Sequence, residues 1–286
     1  MFKRSYLLVI ILLLPSMLKA VDRYGLVIGN ENYKYITRLW TPRQDTFDEA
    51  DVLRQLGFKV DVLTDATYTQ MVSAMNGFIS KLKDNPKAEA VFIYNGHAVS
   101  LKNGTNYLLP VDLNANEEAD IERYAYHLGE LEEKLNLIQR STPVVMIIDG
   151  CRGSPYQGLK EGSRGYNLQA STKGIELTLS YSEVAKHGIV NRNILALFST
   201  SRGMTALDGA YGDRNSPFAS AVIKTLGARA SLELIYKEIS RETYKFTAEQ
   251  QLPSIEAPFA LWEGYSLVRC TDDCECPPGF CQCLFE

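Results

Sequence analysis

From Tyr24 onward the chain alternates short apolar runs with longer stretches whose apolar positions recur every three to four residues. The runs YGLVIG (24–29), FKVDVL (58–63), AVFIYNG (90–96), PVVMIID (143–149) and NILALFSTS (193–201) predict strands. The stretches near 44–56, 69–82, 129–139, 217–228 and 231–244 predict helices. Most of the runs lack the strict polar and apolar alternation of a half-solvated strand, so they read as strands buried on both faces. Strands of that kind separated by helices build a mainly parallel sheet, because parallel neighbours need a crossover connection. The expectation is an α/β fold of three layers, with helices on both faces of a sheet of about six strands. No internal repeat or low-complexity linker divides residues 21–265, which are expected to form one domain.

Two segments depart from this rhythm. Residues 99–112, VSLKNGTNYLLPVD, place Asn103 and Gly104 between apolar flanks and predict a hairpin or tight turn. Residues 152–192 form a long stretch with only patchy periodicity, and loops of that length inside a domain are either functional or disordered.

At 45% hydrophobic and 22% charged residues, the chain can fill a large core, which sets disorder aside. The formal charge of −4 comes with no basic run, so neither nucleic acid nor a polybasic membrane contact is suggested. The first twenty residues, MFKRSYLLVIILLLPSMLKA, place Lys3 and Arg4 ahead of an apolar run from Leu7 to Leu14 that Pro15 breaks. That is the layout of a signal peptide, too short to serve as a membrane span of about 20 residues. Cleavage after Ala20 and an exported, periplasmic or secreted protein are expected. An uncleaved signal-anchor is the alternative, because Leu18 stands three residues before that bond, where a small residue is usual.

Cysteine usage agrees with export. Five of six cysteines (Cys270, Cys274, Cys276, Cys281, Cys283) crowd into residues 266–286, while Cys151 stands apart in the main body. In an oxidising compartment such a tail reads as a small disulfide knot, and in a reducing one as a zinc site. Five is odd, so one thiol is left free or bridges to a second chain.

The chemistry collects where predicted strands end. In an open parallel sheet, ligands bind at the carboxyl ends of the strands. One strand runs out at His97, another at Cys151, and a third in a Ser-Thr-Ser loop. A thiol needs a base or a positive neighbour to become a thiolate, and histidine suits that work. Gly96 and Gly150 beside the two residues let backbone amides approach a substrate carbonyl, as an oxyanion site requires. The plainer accounts are a buried, inert thiol and a hydrogen-bonded histidine. His127 and His187 lack the strand-end placement.

The ordered blocks RYGLVIGNENY (23–33), QDTFDEADVLRQLGFKVDVL (44–63), FIYNGHA (92–98), GTNYLLPVD (104–112), IIDGCRGSP (147–155), FSTSRGMTALDG (198–209) and SPFASAVIK (216–224) together resemble the caspase-like cysteine peptidases, in particular the bacterial metacaspase type. The resemblance covers roughly residues 23–256 and leaves out the tail. It implies a caspase-like fold, His97 as catalytic histidine, Cys151 as nucleophile, and the N–H groups of Ala98 and Cys151 as the oxyanion hole. It also implies that Asp149 and Asp45 line the pocket for the residue before the scissile bond, which would favour Arg or Lys. The plainer account of Asp149 is a cap on the next turn. Ala98, Asn95 and Gly150 depart from the family pattern, which has glycine, serine or alanine, and alanine or serine there. Were position 98 to need positive φ, Ala98 would cost on the order of 1 kcal/mol.

The expected partner is a peptide or protein substrate. No cofactor or metal is implied, and a calcium requirement is not legible in the residues. Lys160, Arg164, Lys173 and Lys186 in the long segment would suit a basic-specific enzyme that cuts itself, or are simply solvated. The competing function is a caspase-like binding or scaffold module without significant proteolytic activity.

Overall fold

All seven residues of Glu89–Asn95 and all six of Val144–Asp149 are buried, which only a sheet covered on both faces achieves. The computed structural model describes residues 21–101, 104–153, 193–256 and 265–268. Within them the chain runs β1 (Arg23–Gly29), α1 (Pro42–Gln55), β2 (Lys59–Thr64), α2 (Tyr68–Asp84) and β3 (Glu89–Asn95). A small hairpin region follows: β4 (Ala98–Ser100), β5 (Asn106–Leu108), α3 (Glu118–Tyr124) and β6 (Tyr126–His127). The chain then continues through α4 (Leu128–Asn136), β7 (Val144–Asp149), β8 (Ile194–Phe198), α5 (Pro217–Thr225), α6 (Leu232–Phe246) and β9 (Ser254–Glu256).

The main sheet has the order β2-β1-β3-β7-β8-β9, parallel except for β9, which pairs antiparallel with β8. Alternate side chains sort into two cores. Leu26, Phe92, Tyr94, Met146 and Phe198 pack with Met71, Met75 and Phe78 of α2 and Leu131 of α4. Val27, Val91, Ile93, Ile147 and Leu197 pack with Leu53 of α1, Phe218 of α5 and Ile235 of α6. The result is the expected three layers. Local chemistry marks the helix starts: Thr67 and Gln70 form a reciprocal capping box before α2, and Ser216 and Ser231 cap α5 and α6.

The five strands read from apolar runs all form. The sixth, β9, is three residues long with no periodicity to betray it, and neither is there a clear signal for the seven-residue α3. The predicted turn in 99–112 is the β4–β5 hairpin, with Ala98 opposite Leu108, and β6 adds a third antiparallel strand. The predicted leader, the basic residues Lys160, Arg164, Lys173 and Lys186, His187 and the tail cysteines lie outside the described residues. Among those described, no helix is long and apolar enough to cross a membrane.

Candidate active site

The register of two strands brings the candidate residues together. β3 and β7 pair in parallel with Asn95 opposite Asp149, and His97 and Cys151 each lie two residues further on. Beyond the strands the segments stay side by side: the Gly96 N–H donates to the Asp149 carbonyl (3.1 Å) and the Ser100 N–H to the Gly153 carbonyl (3.1 Å). His97 and Cys151 lie between those two bonds.

His97 is buried, with its N–H donating to the Tyr33 hydroxyl at 2.7 Å and its ring stacked obliquely on Tyr33 at 4.6 Å. The Tyr94 hydroxyl donates to the His97 carbonyl at 2.8 Å. Nε2 lies 2.8 Å from the Thr37 carbonyl, which can only accept, so the ring proton sits on Nε2 and Nδ1 is the basic nitrogen of the neutral ring. Gly96 makes this packing possible, because a Cβ there would meet the Tyr33 and Tyr94 hydroxyls at 2.7 and 2.8 Å.

Cys151 is 2% exposed. Its Sγ accepts from the Ala206 N–H at 3.1 Å and lies 3.6 Å from the Ala206 carbonyl. Arg152 fixes the next residue: its N–H donates to the Met204 carbonyl and its own carbonyl accepts from Gly203. The Arg152 guanidinium is buried over the Phe198 ring at 3.8 Å and pairs with Glu256 on β9 at 2.6 Å, so the segment after Cys151 is tied to the edge strand. Burial lowers the Arg152 pKa against the opposing field of Glu256. Burial alone would raise the Glu256 carboxyl, yet Arg152 and Arg202 outweigh it and hold that group below its ordinary range.

Asp149 and Asp45 are both fully buried and meet at one residue. Asp149 Oδ2 accepts from the Ser216 hydroxyl at 2.6 Å, and Asp45 Oδ1 accepts from the Ser216 N–H at 3.0 Å. A third acid joins them. Asp208 accepts from the Trp40 N–H at 2.6 Å, and the Thr41 Oγ1 lies 2.8 Å from Asp208 and 2.9 Å from Asp45. That hydroxyl has one proton for two carboxylates. Asp208 escaped the sequence reading, although it stands in the block FSTSRGMTALDG, because nothing local distinguishes it from a turn aspartate. Among the described residues, no group of three or more His, Cys, Asp or Glu side chains is placed to hold a metal ion.

The two departures beside the candidate dyad are spatially one. A Cβ on Gly150 would meet the Ala98 Cβ at 2.8 Å and the Gly96 carbonyl at 2.9 Å. The methyl that the family pattern has at the residue before the cysteine is here carried by the residue after the histidine. Ala98 is absent from the positive-φ residues, which outside glycine are Asp65, Ala248 and Glu249 among those described, so the cost considered for it does not arise. Asn95 donates to Glu49 at 2.7 Å and to Thr46 at 3.2 Å beneath the site. His127 lies away from it, in β6 against Tyr107.

The fold and the ordered blocks find direct counterparts among known proteins. A model of the caspase domain matches residues 22–260, and the chain belongs to that family of cysteine peptidases. Caspase-1 from Spodoptera frugiperda is similar in structure, with a TM-score of 0.56 at 17% identity over 83% of this chain and 86% of that one. Mucosa-associated lymphoid tissue lymphoma translocation protein 1 from Homo sapiens is 34% identical over 93 residues, and its homologue from Mus musculus is 33% identical over the same length. Those stretches cover 32% of this chain but only 11% of either relative.

Proposed function

We propose that this protein is an exported cysteine endopeptidase that cleaves after Arg or Lys, using His97 and Cys151. The observation that carries the dyad is the β3–β7 register, with rungs on both sides of the two residues. In the proposed reaction His97 Nδ1 takes the thiol proton and Sγ attacks the substrate carbonyl carbon. The N–H groups of Ala98 and Cys151 face the developing oxyanion, in the manner that lowers acyl-transfer barriers. The imidazolium then gives its proton to the leaving amine, and water, deprotonated by the same ring, hydrolyses the thioester. The meeting of Asp149, Asp45 and Asp208 around Ser216 and Thr41 supports a basic residue before the scissile bond, since a guanidinium matches carboxylates in charge and geometry. Export rests on the apolar run Leu7–Leu14 and its basic flank, and a mature chain beginning at Val21 is the expected product.

The test is hydrolysis of fluorogenic peptides ending in Arg, Lys or Asp by the full chain and by Asp149→Asn. Cleavage after Arg and Lys is expected, with kcat/KM for the Arg peptide falling on the order of 100-fold in the variant, as when a buried charge partner is lost. Cleavage after Asp would refute the specificity. The near-complete burial of Cys151 favours a second reading, a caspase-domain binding module. Hydrolysis that vanishes in Cys151→Ala excludes it, and silence toward every peptide, with or without reductant and calcium, would favour it.

A further inference from the structure

The connection from α6 to β9 carries two consecutive non-glycine residues in the left-handed region, Ala248 at φ 48° and Glu249 at φ 69°. Such a pair is uncommon and persists only where the surrounding structure holds it. Backbone bonds wind it tightly: the Glu249 N–H donates to the Tyr244 carbonyl at 2.8 Å and the Gln250 N–H to the Thr247 carbonyl at 3.1 Å. The Gln251 N–H then donates to the Thr247 hydroxyl at 3.1 Å. What this strained turn presents to the loops at the carboxyl end of the sheet is the buried side chain of Gln251.

Its amide bridges two points of the β8–α5 connection. Oε1 accepts from the Leu207 N–H and Nε2 donates to the Ser199 carbonyl, both at 2.8 Å and from 44 and 52 residues away in the chain. An N–H can only donate and a carbonyl can only accept, so these partners fix which way round the amide sits. Burying an amide costs free energy that an apolar side chain of the same size does not, and packing alone does not account for one here.

Both partners stand one step from Cys151. Leu207 follows Ala206, whose N–H donates to the Cys151 Sγ at 3.1 Å. Ser199 carries the hydroxyl that accepts from the Gly150 N–H at 3.2 Å and lies 3.4 Å from the Gly150 carbonyl. That carbonyl and the Cys151 N–H belong to one peptide unit. The Ala206 carbonyl also lies near the sulfur, at 3.6 Å, but the N–H is closer, and a donated hydrogen bond is stronger to a thiolate than to a thiol. The Gln251 amide therefore ties down the donor on one flank of the sulfur and the peptide unit on the other.

We propose that Gln251 is a positioning residue for Cys151: through Leu207 it aims the Ala206 N–H at the sulfur, through Ser199 it steadies the Gly150–Cys151 peptide, and the two together favour the reactive thiolate. This rests on the reading of Cys151 as nucleophile and adds to it a residue that touches neither substrate nor sulfur. The strained turn at Ala248 and Glu249 is what carries the amide to that place.

The experiment measures alkylation of Cys151 by iodoacetamide across the pH range, followed at that residue by peptide mass mapping, in the full chain and in Gln251→Leu, Gln251→Glu and Ser201→Ala. Leucine removes both bonds at similar size. It is expected to slow alkylation at neutral pH about tenfold and to move the midpoint of the pH profile up by about one unit, as loss of one donor to a charged group requires. Glutamic acid replaces the amide only while protonated, when it can still donate to Ser199, so that variant should match the unaltered protein at low pH and fall toward Gln251→Leu as the pH rises. Ser201 donates to the Leu252 carbonyl of the same connection without touching Leu207 or Ser199, and its alanine variant should stay within about twofold. A Gln251→Leu profile that coincides with the unaltered one, or a Ser201→Ala profile shifted just as far, would overturn the proposal. Should Gln251→Leu not fold, Gln251→Glu decides alone: a profile parallel to that of the unaltered protein at every pH sinks the idea, and a deficit that opens with rising pH sustains it. Hydrolysis of Arg-ending peptides is followed in parallel. If the unaltered protein cleaves none of them, the peptidase reading fails, while the alkylation profiles still decide what Gln251 does to the sulfur.

Discussion

Ile93 and Ile147 face each other across β3 and β7 inside an apolar cluster, whereas two rungs further on the paired residues are Asn95 and Asp149, equally inaccessible to water. In the middle of the sheet, burial is driven by transfer of apolar surface out of water. At its carboxyl end, burial of an amide, a carboxylate, an imidazole and a thiol has to be offset bond by bond. His97 is held through Tyr33, Tyr94 and Thr37, Asp149 through Ser216, and Cys151 through Ala206. A sheet end built only for stability would continue the apolar pattern. Here the apolar pattern gives way to polar side chains, each held by hydrogen bonds from other segments.

The sharpest way to break this comparison is to truncate one residue from each region. Cys151→Ala is expected to lower kcat/KM on Arg peptides by at least about 10⁴-fold while leaving the urea midpoint almost where it was. Ile147→Ala should do the reverse, losing about 2–5 kcal/mol in urea unfolding through the cavity it leaves, with the folded fraction still active. If Cys151→Ala destabilised as much as Ile147→Ala, the sulfur would be a core residue and the two regions would not differ.

A smaller effect is expected where the site is tied to the sheet edge. Glu256→Gln leaves the Arg152 guanidinium buried without its carboxylate, and the loss should be about 2 kcal/mol, moderated because Glu256 itself is partly exposed. The pH dependence has a fixed sign. Since the folded state holds the Glu256 carboxyl below its ordinary value, its contribution is fully present above about pH 5 and disappears as the pH falls through the depressed value. Thermal unfolding of the two proteins should therefore differ at pH 6 and converge toward pH 3. A constant difference would show that the pair contributes nothing through charge.

The last effect is of similar size and the most specific. Gly150→Ala drives a methyl into Ala98 and the Gly96 carbonyl, and should cost about 1–3 kcal/mol and much of the activity. Because the backbone carbonyl at 2.9 Å remains, Ala98→Gly in the same chain should restore part rather than all of it. Simple additivity of the two substitutions in urea unfolding would refute their coupling.

The apolar runs in the sequence were enough to place five of the six strands of the main sheet and the five helices read from periodicity, because their signals are local and long. Chemical character was legible too: the strand-end positions of His97 and Cys151, the acids Asp45 and Asp149, and the ordered blocks of a caspase domain, which the family match over residues 22–260 bears out at the level of the fold and family. What only the tertiary structure decided lies in contacts between distant segments. Asp208 joins the acid cluster through Thr41, 167 residues away in the chain. β9 forms because β8 offers a free edge, and Arg152 reaches Glu256 across 104 residues. Ala98 and Gly150 read as two separate departures from a family pattern until the packing shows one methyl and one vacant position sharing the same space. Periodicity reports which face of an element is apolar; which loops meet at the sheet's end depends on strand order and register, and those are set by the whole chain at once.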